Sequence, residues 1–419
     1  MCAFYIQVKV GIRVIIIAVG DIDNVKQEFT VDIYLRAIWK EPTLKGKKQE
    51  EVDWSQAWDP RITLLNEVAV LKKTIKHFLV YEEPDDVPEV RFSMRMTVTL
   101  KENLELNEFP FDHQDLTIRL SSDWPIKQIE FEKDMSIKDA IRTDQFSGQQ
   151  EWKLYPHLIC EPVTPWKEKS AAHNQYPLYN ITLQVKRKPG FYMWNVILVM
   201  FCIMLLTISS FTVEASAPAD RLGVTLTLLL TSVAFKFVVS QQLPAVSYLT
   251  YLDIYVISCM TIQFLVGVQN AVASLLIETT ARLFDLISVC VLTGSIVIIH
   301  LVMGIIVVTK WFKQKKTLEA NTEKFHSLCD VIDMAWRRKM AEKAAMEASQ
   351  EQGEKTHVSD NSESGSKDAS GKSIHSPGKS KKKKTRHRSK VDTEYQTLRN
   401  SNEVGMESSD TAETNLSVA

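Results

Sequence analysis

The sequence predicts an α+β membrane protein: an antiparallel β-sandwich, then a four-helix transmembrane bundle, then a disordered C-terminal tail. Three observations carry this. From Met1 to Lys188, short stretches rich in β-branched residues alternate with Pro, Asp and Gly clusters, as strands separated by turns do. After Pro189 come four apolar segments, each long enough for the roughly 20 residues a helix needs to cross hydrocarbon. Beyond about residue 350 the chain is Ser, Lys, Glu, Asp and Gly without an aromatic residue until Tyr395, too little apolar surface to offset the entropy of folding. The expected divisions are residues 1–189 for the sandwich, 190–312 for the bundle, 313–349 for an amphipathic helix and 350–419 for the tail.

The first two strands are Gln7 to Val19 and Glu28 to Trp39, joined by the polar GDIDNVKQ, which reads as a hairpin. The apolar run Ile12 to Val19 is too short for a secretory signal, contains Arg13 and lacks a small-residue cleavage site, so it is assigned to a strand. Arg91 to Leu100, Leu116 to Leu120, Trp152 to Ile159 and Tyr179 to Lys186 continue the pattern. The membrane segments are Phe191 to Val213, Leu222 to Leu243, Leu249 to Leu276 and Leu283 to Phe312. Tyr192, Trp194, Tyr248 and Tyr251 are amphipathic residues suited to the headgroup level. Past Trp311, the residues Leu318, Phe325, Leu328, Ile332, Ala335 and Trp336 trace an apolar stripe on a charged helix.

Composition excludes several classes. The 419 residues carry a net charge of -1, which gives no overall bias toward nucleic acid. Six cysteines show no metal-ligand spacing, and no nucleophile motif, metal set or phosphate loop supports an enzyme or a cofactor. Paired carboxylates inside broken spans, expected of a transporter, are missing from the sequence. The block Lys379 to Lys390 reads either as a solvated charge run or as a ligand for anionic lipid or a localisation signal.

The second apolar segment is unlike a helix that meets lipid all round. Asp220, Gly223, Thr227, Leu230, Ala234, Phe237 and Gln241 recur at steps of three and four, so all seven fall on one helical face. That face is acidic at one end, then small and hydroxylated, then apolar, and amide-bearing at the far end. Such grading suits a water-filled pore lined by several copies of one helix; the competing reading is that Gly, Ser and Thr only let helices pack closely.

Four strings then stand in register: FPFDHQDL (Phe109 to Leu116), RKPGFY (Arg187 to Tyr192), the graded helix, and LPAVSYLTYLDIYV (Leu243 to Val256), with VDIYLRAIW (Val31 to Trp39) and WDP (Trp58 to Pro60) upstream. Together they resemble a subunit of the pentameric ligand-gated ion channels, the Cys-loop receptor superfamily, over about residues 5–312. The resemblance implies a multi-pass plasma-membrane protein with an extracellular ligand-binding sandwich. It also implies assembly with identical or related subunits in a pentamer, contact with the bilayer, a small-molecule agonist or protons as activator, and monovalent ions as permeant species. Animal members bracket the FPFD loop with two cysteines, and the matching positions here are Glu102 and Leu116; in this loop and in the pore the sequence is similar to bacterial proton-gated channels. Such members carry a signal peptide, and none is visible before Gln7, as expected of a start placed too late.

The resemblance also assigns roles. Asp112 is expected beside Arg187 above the first helix, with Asp23 joining them and Asn24 at a position that is often a second acid; Pro244 and Tyr248 lie on the linker that would relay motion to the pore. The alternative is a surface ion pair without a gating role. Tyr34, Trp124, Trp166 and Tyr176 match or flank the aromatic agonist box, although Leu65 fills a slot that is often Tyr, and strand aromatics are often plain core. Five copies of Asp220 would form an acidic ring favouring cations. Pro218, Ala219 and Gly223 resemble anion-selective members instead, and Lys236 is expected to face a neighbouring helix with Asp253 as partner. Leu230 and Phe237 would form the closed constriction, with Thr227 a polar belt below. A non-conducting accessory subunit or adhesion receptor with the same fold is the reading from a different class. The family topology puts everything after Phe312 outside, whereas Lys310, Lys313, Lys315 and Lys316 favour the cytosol; Asn180, in the sequon Asn-Ile-Thr, is extracellular in both cases.

Overall fold

Strand β1 (Val8–Asp23) and strand β2 (Glu28–Lys40) pair antiparallel across a short turn, with Val14 opposite Leu35. Their apolar residues alternate as a half-buried strand requires: Val10, Ile12, Val14 and Ile16 are fully buried, as are Val31, Leu35 and Ala37. These observations come from a computed structural model, which describes residues 7–81, 86–163, 175–241 and 243–359, with side chains as far as 346. Residues 1–348 form one compact unit; of the second, 349–419, only helical backbone as far as Ser359 is described.

The other strands are β3 (Ile62–Leu64), β4 (Glu67–Val80), β5 (Glu89–Lys101), β6 (His113–Ser122), β7 (Ile129–Lys133), β8 (Ala140–Ile141), β9 (Trp152–Val163) and β10 (Leu178–Arg187). One sheet has the order β4-β5-β2-β1-β7, with β8 also on β1, and the other the order β3-β6-β10-β9. Pairing is antiparallel except that β7 and β8 run parallel to β1. Leu116, Ile118 and Leu120 of β6 and Tyr179, Ile181, Leu183 and Val185 of β10, in the second sheet, share one buried cluster with Val10, Ile12, Val31 and Leu35 of the first, all 0% exposed, which is the two-sheet core of a sandwich.

Four helices follow: α1 (Gly190–Thr212), α2 (Pro218–Ser240), α3 (Tyr251–Ala273) and α4 (Glu278–Ser359). Each is long and apolar enough to cross a membrane. Pro218 fixes the first turn of α2, and α3 starts on a capping box between Thr250 and Asp253. The amphipathic helix expected as a separate element over 313–349 is instead the unbroken continuation of the fourth span. No Gly or Pro occurs between Phe312 and Gln352 to end it. The stripe along that continuation lies against the sandwich, with Gln314, Leu318 and Ile332 buried; Ala335, expected in the stripe, is exposed.

Candidate functional site

The foot of the sandwich meets the bundle through the loop that carries Phe109 to Asp112. Leu104, Leu106 and Phe109 are buried, and the Phe109–Pro110 peptide is cis, a geometry nearly confined to X-Pro bonds and to tight turns. Asp112, at the end of the loop, and Arg187, the last residue of β10, form a two-pronged pair: Nε donates to Oδ1 at 2.8 Å and Nη2 to Oδ2 at 3.2 Å. Both side chains are 1% exposed, so this is not the surface pair of the alternative reading. The guanidinium lies over the rings of Trp152, at 3.9 Å, and Phe109, at 4.8 Å, which supply the attraction of a π face to a cation in place of water. Gln114 Nε2 donates to Asp112 Oδ2 at 2.6 Å.

Asp23 does not join the pair. Its Oδ1 accepts the backbone N–H groups of Val25 and Lys26, closing the β1–β2 turn, and the Lys26 amide holds its carboxyl below the usual range. Its neighbour Asn24 takes the expected place, accepting a hydrogen bond from Arg187 Nη2 at 3.0 Å. In an Asx turn the short side chain folds back on its own backbone, leaving the next residue to reach outward.

The loop is bonded to the helices by backbone groups. A helix leaves its first N–H groups without intrahelical partners, and at the start of α3 these are satisfied from the sandwich: Tyr251 N–H donates to Asn107 O and Leu252 N–H to Phe109 O, both at 3.2 Å. Leu106 N–H donates to the Tyr248 hydroxyl at 3.1 Å. Tyr248 thus touches the loop, while Pro244 is half-buried in the α2–α3 linker. From the other side, α4 reaches the same loop: Gln314 Nε2 donates to Glu108 Oε2 at 2.7 Å and to Phe111 O at 2.9 Å, and Lys310 pairs with Glu108. Trp152 and Gln314 had no sequence signal, because each acts across a distance in the chain that no spacing reveals, whereas Gln114 lies within the FPFDHQDL string and bonds Asp112 two residues away.

On α2, Asp220, Gly223, Thr227, Leu230, Ala234, Phe237 and Gln241 are all exposed in the single chain, Leu230 at 69% and Phe237 at 65%. A Cβ added at Gly223 would meet nothing within 4 Å, so this glycine is not a close helix contact within the subunit. A shallow cavity of about 580 Å³ lies along Asp220, Gly223 and Thr227. The packed face is different: Arg221, Thr225 and Ser232 are buried. Thr225 Oγ1 accepts from Asn270 at 2.8 Å, and Arg221 pairs with Asp285 of α4 at 2.9 Å. Lys236 turns to Asp253, at 2.8 Å.

The aromatic positions do not converge within one chain. Tyr34 bonds Ser93 across β2 and β5 at 2.9 Å. Trp124 donates to Asp59 O and has Arg61 over its ring at 4.7 Å, while Tyr176 is exposed. Among the described residues no ring contact links these three, and Trp166 lies outside the described residues. No group of three metal-ligating side chains occurs among the described residues.

Residues 5–189, from before β1 to past β10, match the family described as neurotransmitter-gated ion-channel ligand binding domain. A γ-aminobutyric acid receptor subunit beta of Lymnaea stagnalis is 22% identical over 280 residues, 61% of this chain and 54% of the relative. The human glycine receptor subunit beta is 26% identical over 295 residues, 66% of this chain and 57% of that protein. A γ-aminobutyric acid receptor subunit beta of Caenorhabditis elegans is 24% identical over 267 residues. The chain thus spans about half the length of the curated relatives it matches. The domain at residues 5–189 thus belongs to the neurotransmitter-gated ion-channel family, and it is bonded at its foot to four membrane-length helices.

Proposed function

We propose that the chain is a subunit of a ligand-gated channel in which α2 from each member of a pentamer lines the pore. The observation that carries this is the division of α2 into a packed face and an open one, with all seven residues of the graded stripe on the open side. Leu230 and Phe237 form the closed constriction, which dewets because nothing on it binds water. Asp112, Arg187 and Asn24 hold the loop through which the sandwich moves α3 and the Pro244–Tyr248 linker. The activator is a small molecule bound between sandwiches, with Tyr34, Trp124, Trp166 and Tyr176 as candidate wall, or the proton. In the single chain the Trp124 ring is already faced by Arg61, so an amine there would have to displace a resident cation.

The permeant ion is proposed to be a monovalent cation. Arg221, next to Asp220, is 0% exposed and neutralised by Asp285, whereas Asp220 faces the open side; the lumen at this level is therefore acidic in net terms. The γ-aminobutyric acid and glycine receptor relatives lend the cation reading no support, and the likeness of Pro218, Ala219 and Gly223 to anion-selective members favours the alternative. Whole-cell currents during steps of pH and of small amines and amino acids test conduction, and dilution of the bath salt tests selectivity. A reversal potential that moves toward sodium and potassium is expected; one that follows chloride establishes the anion reading, and no current from surface-expressed protein with any activator leaves the non-conducting accessory role.

A further inference from the structure

The α4 continuation is held against the sandwich at three levels: Gln314 and Lys310 on the Glu108–Phe111 loop, Asn321 and Thr322 in the middle, and Asp333 on Lys138 at 3.0 Å. The middle level is built on His157. Strand β9 carries an irregularity there, because Leu158 pairs with Leu183 while Leu154 pairs with Val185. The extra residues re-aim the side chain as a bulge does, and His157 is 0% exposed beneath the helix. Its Nε2 lies 2.7 Å from Gln184 Oε1 and its Nδ1 2.9 Å from Thr322 Oγ1.

The neighbours fix the protons. The Asp115 carboxylate only accepts, so Gln184 turns its amide nitrogen to Asp115 Oδ1, at 2.8 Å, and its oxygen to His157, where Asn321 Nδ2 also donates, at 3.0 Å. His157 Nε2 must then carry the hydrogen, and in the neutral ring Nδ1 is a bare acceptor. The Thr322 hydroxyl has one hydrogen and two acceptors, Nδ1 and Leu318 O at 2.9 Å. A proton on Nδ1 would reverse that contact, Nδ1–H donating to Oγ1 and the hydroxyl to Leu318. The groups around the ring are Asp115 on β6, which favours the cation, and His326 on α4, which opposes it. Tyr155 on β9, 5.9 Å away and itself flanked by Lys153 and Glu319, completes them.

We propose that His157 is a proton-binding site that latches the α4 continuation to the sandwich, and that binding the proton releases the helix. Burial keeps the docked ring below its ordinary value of 6.5 despite the Gln184 bond and Asp115, whereas a ring freed into water titrates at that ordinary value. The latch is therefore fully present above the ordinary value and is lost as pH falls through it toward the lower docked value. Each unit between the two is worth a factor of about ten in the docking equilibrium. Release at this level loosens the same helix that grips Glu108 and Phe111 below.

The latch is measured without current, by amide hydrogen exchange of residues 317–336 in the full-length protein at about pH 8 and about pH 5, corrected for the intrinsic pH dependence of exchange. A helix freed from its packing surface frays, so protection should fall severalfold in acid in the wild type and stay level in His157→Gln. Equal protection of the wild type at both pH values, or an equal fall in His157→Gln, overturns the proposal. Should His157→Gln not fold, Thr322→Val carries the test. It keeps the ring but leaves the Nδ1–H of the cation without an acceptor, so loss of protection should begin at higher pH; an unchanged onset overturns the latch. Acid-evoked current, which rests on the channel reading, is recorded in parallel. A pH-dependent helix without acid-evoked current rules out the proton as activator and leaves the latch standing.

Discussion

Arg187 is the residue on which the junction depends, since one guanidinium is bonded to Asp112 and Asn24 and lies over two rings. Replacing it with Ala would leave Asp112 charged, buried and short of its main partner, at a cost of about 3–5 kcal/mol. Arg187→Ala should therefore lose surface protein as well as response, measured by surface biotinylation, and wild-type surface levels would show the pair to be dispensable for folding. Asn24→Ala removes a single hydrogen bond, about 1–3 kcal/mol when the donor is a buried cation. Normal surface levels with a shifted activation curve are expected from it. A second pH window belongs to Asp134, whose buried pair with Arg36 closes the loop after β7. Burial pushes Asp134 up, but Arg36 and Ser136 outweigh it and hold its carboxyl below the usual range. That stability is present above the ordinary aspartate value of 3.8 and is lost as pH falls below it, so the melting temperature of the wild type should drop there more steeply than that of Asp134→Asn.

At the scale of elements, what could be read from the chain was what has a period. The strands of β1, β2, β5, β6, β9 and β10 and the four spans announce themselves by alternation or by length. Strand β4 does not, because it is an edge exposed along nearly its whole length, and Lys72, Lys73 and Lys76 blunt it as charges on an edge do; with no buried face it has no alternation to find. The Asp112–Arg187 contact was expected from resemblance, but its burial, the substitution of Asn24 for Asp23 and the grip of α4 depend on tertiary neighbours. The continuation of α4 shows this most clearly: its stripe was visible in Leu318 and Ile332, yet nothing in the pattern named the sandwich as the surface covering it. Gln314→Ala tests that contact. It removes the side chain that bridges α4 to both Glu108 and Phe111 O, and an activation curve shifted by a factor of about 5 to about 150 corresponds to the roughly 1–3 kcal/mol of such bonds. A superimposable curve would show that α4 has no part in holding the loop.

On the scale of the whole molecule, members of this family are multi-pass plasma-membrane proteins with the ligand-binding domain outside the cell. The contacts of α4 with Gln184, His157 and Lys138 put its continuation on that same side. A lone subunit leaves two surfaces that such a protein does not leave to solvent. On β4, Leu71 is 66% and Ile75 45% exposed, an unpaired edge with apolar side chains. On α2, Leu230 and Phe237 are exposed on the same face as Asp220, a charge that is costly against lipid. Both are accounted for if copies of the chain close into a ring, β4 against the next sandwich and the α2 stripe toward a common axis. The α4 face bearing Val297, 51% exposed, continues through Leu301 and Ile305, 61% and 64% exposed, and suits lipid. Cysteines distinguish these positions. With Cys202 and Cys290 replaced by Ser, Leu230→Cys brings thiols from neighbouring α2 helices to one axis, and copper-phenanthroline oxidation should give disulfide-linked dimers on gels. Val297→Cys, pointing away from the axis, should remain monomeric under the same treatment. Dimers from Val297→Cys and none from Leu230→Cys would place the wrong face of the bundle at the centre, and the acidic ring of Asp220 would fall with it.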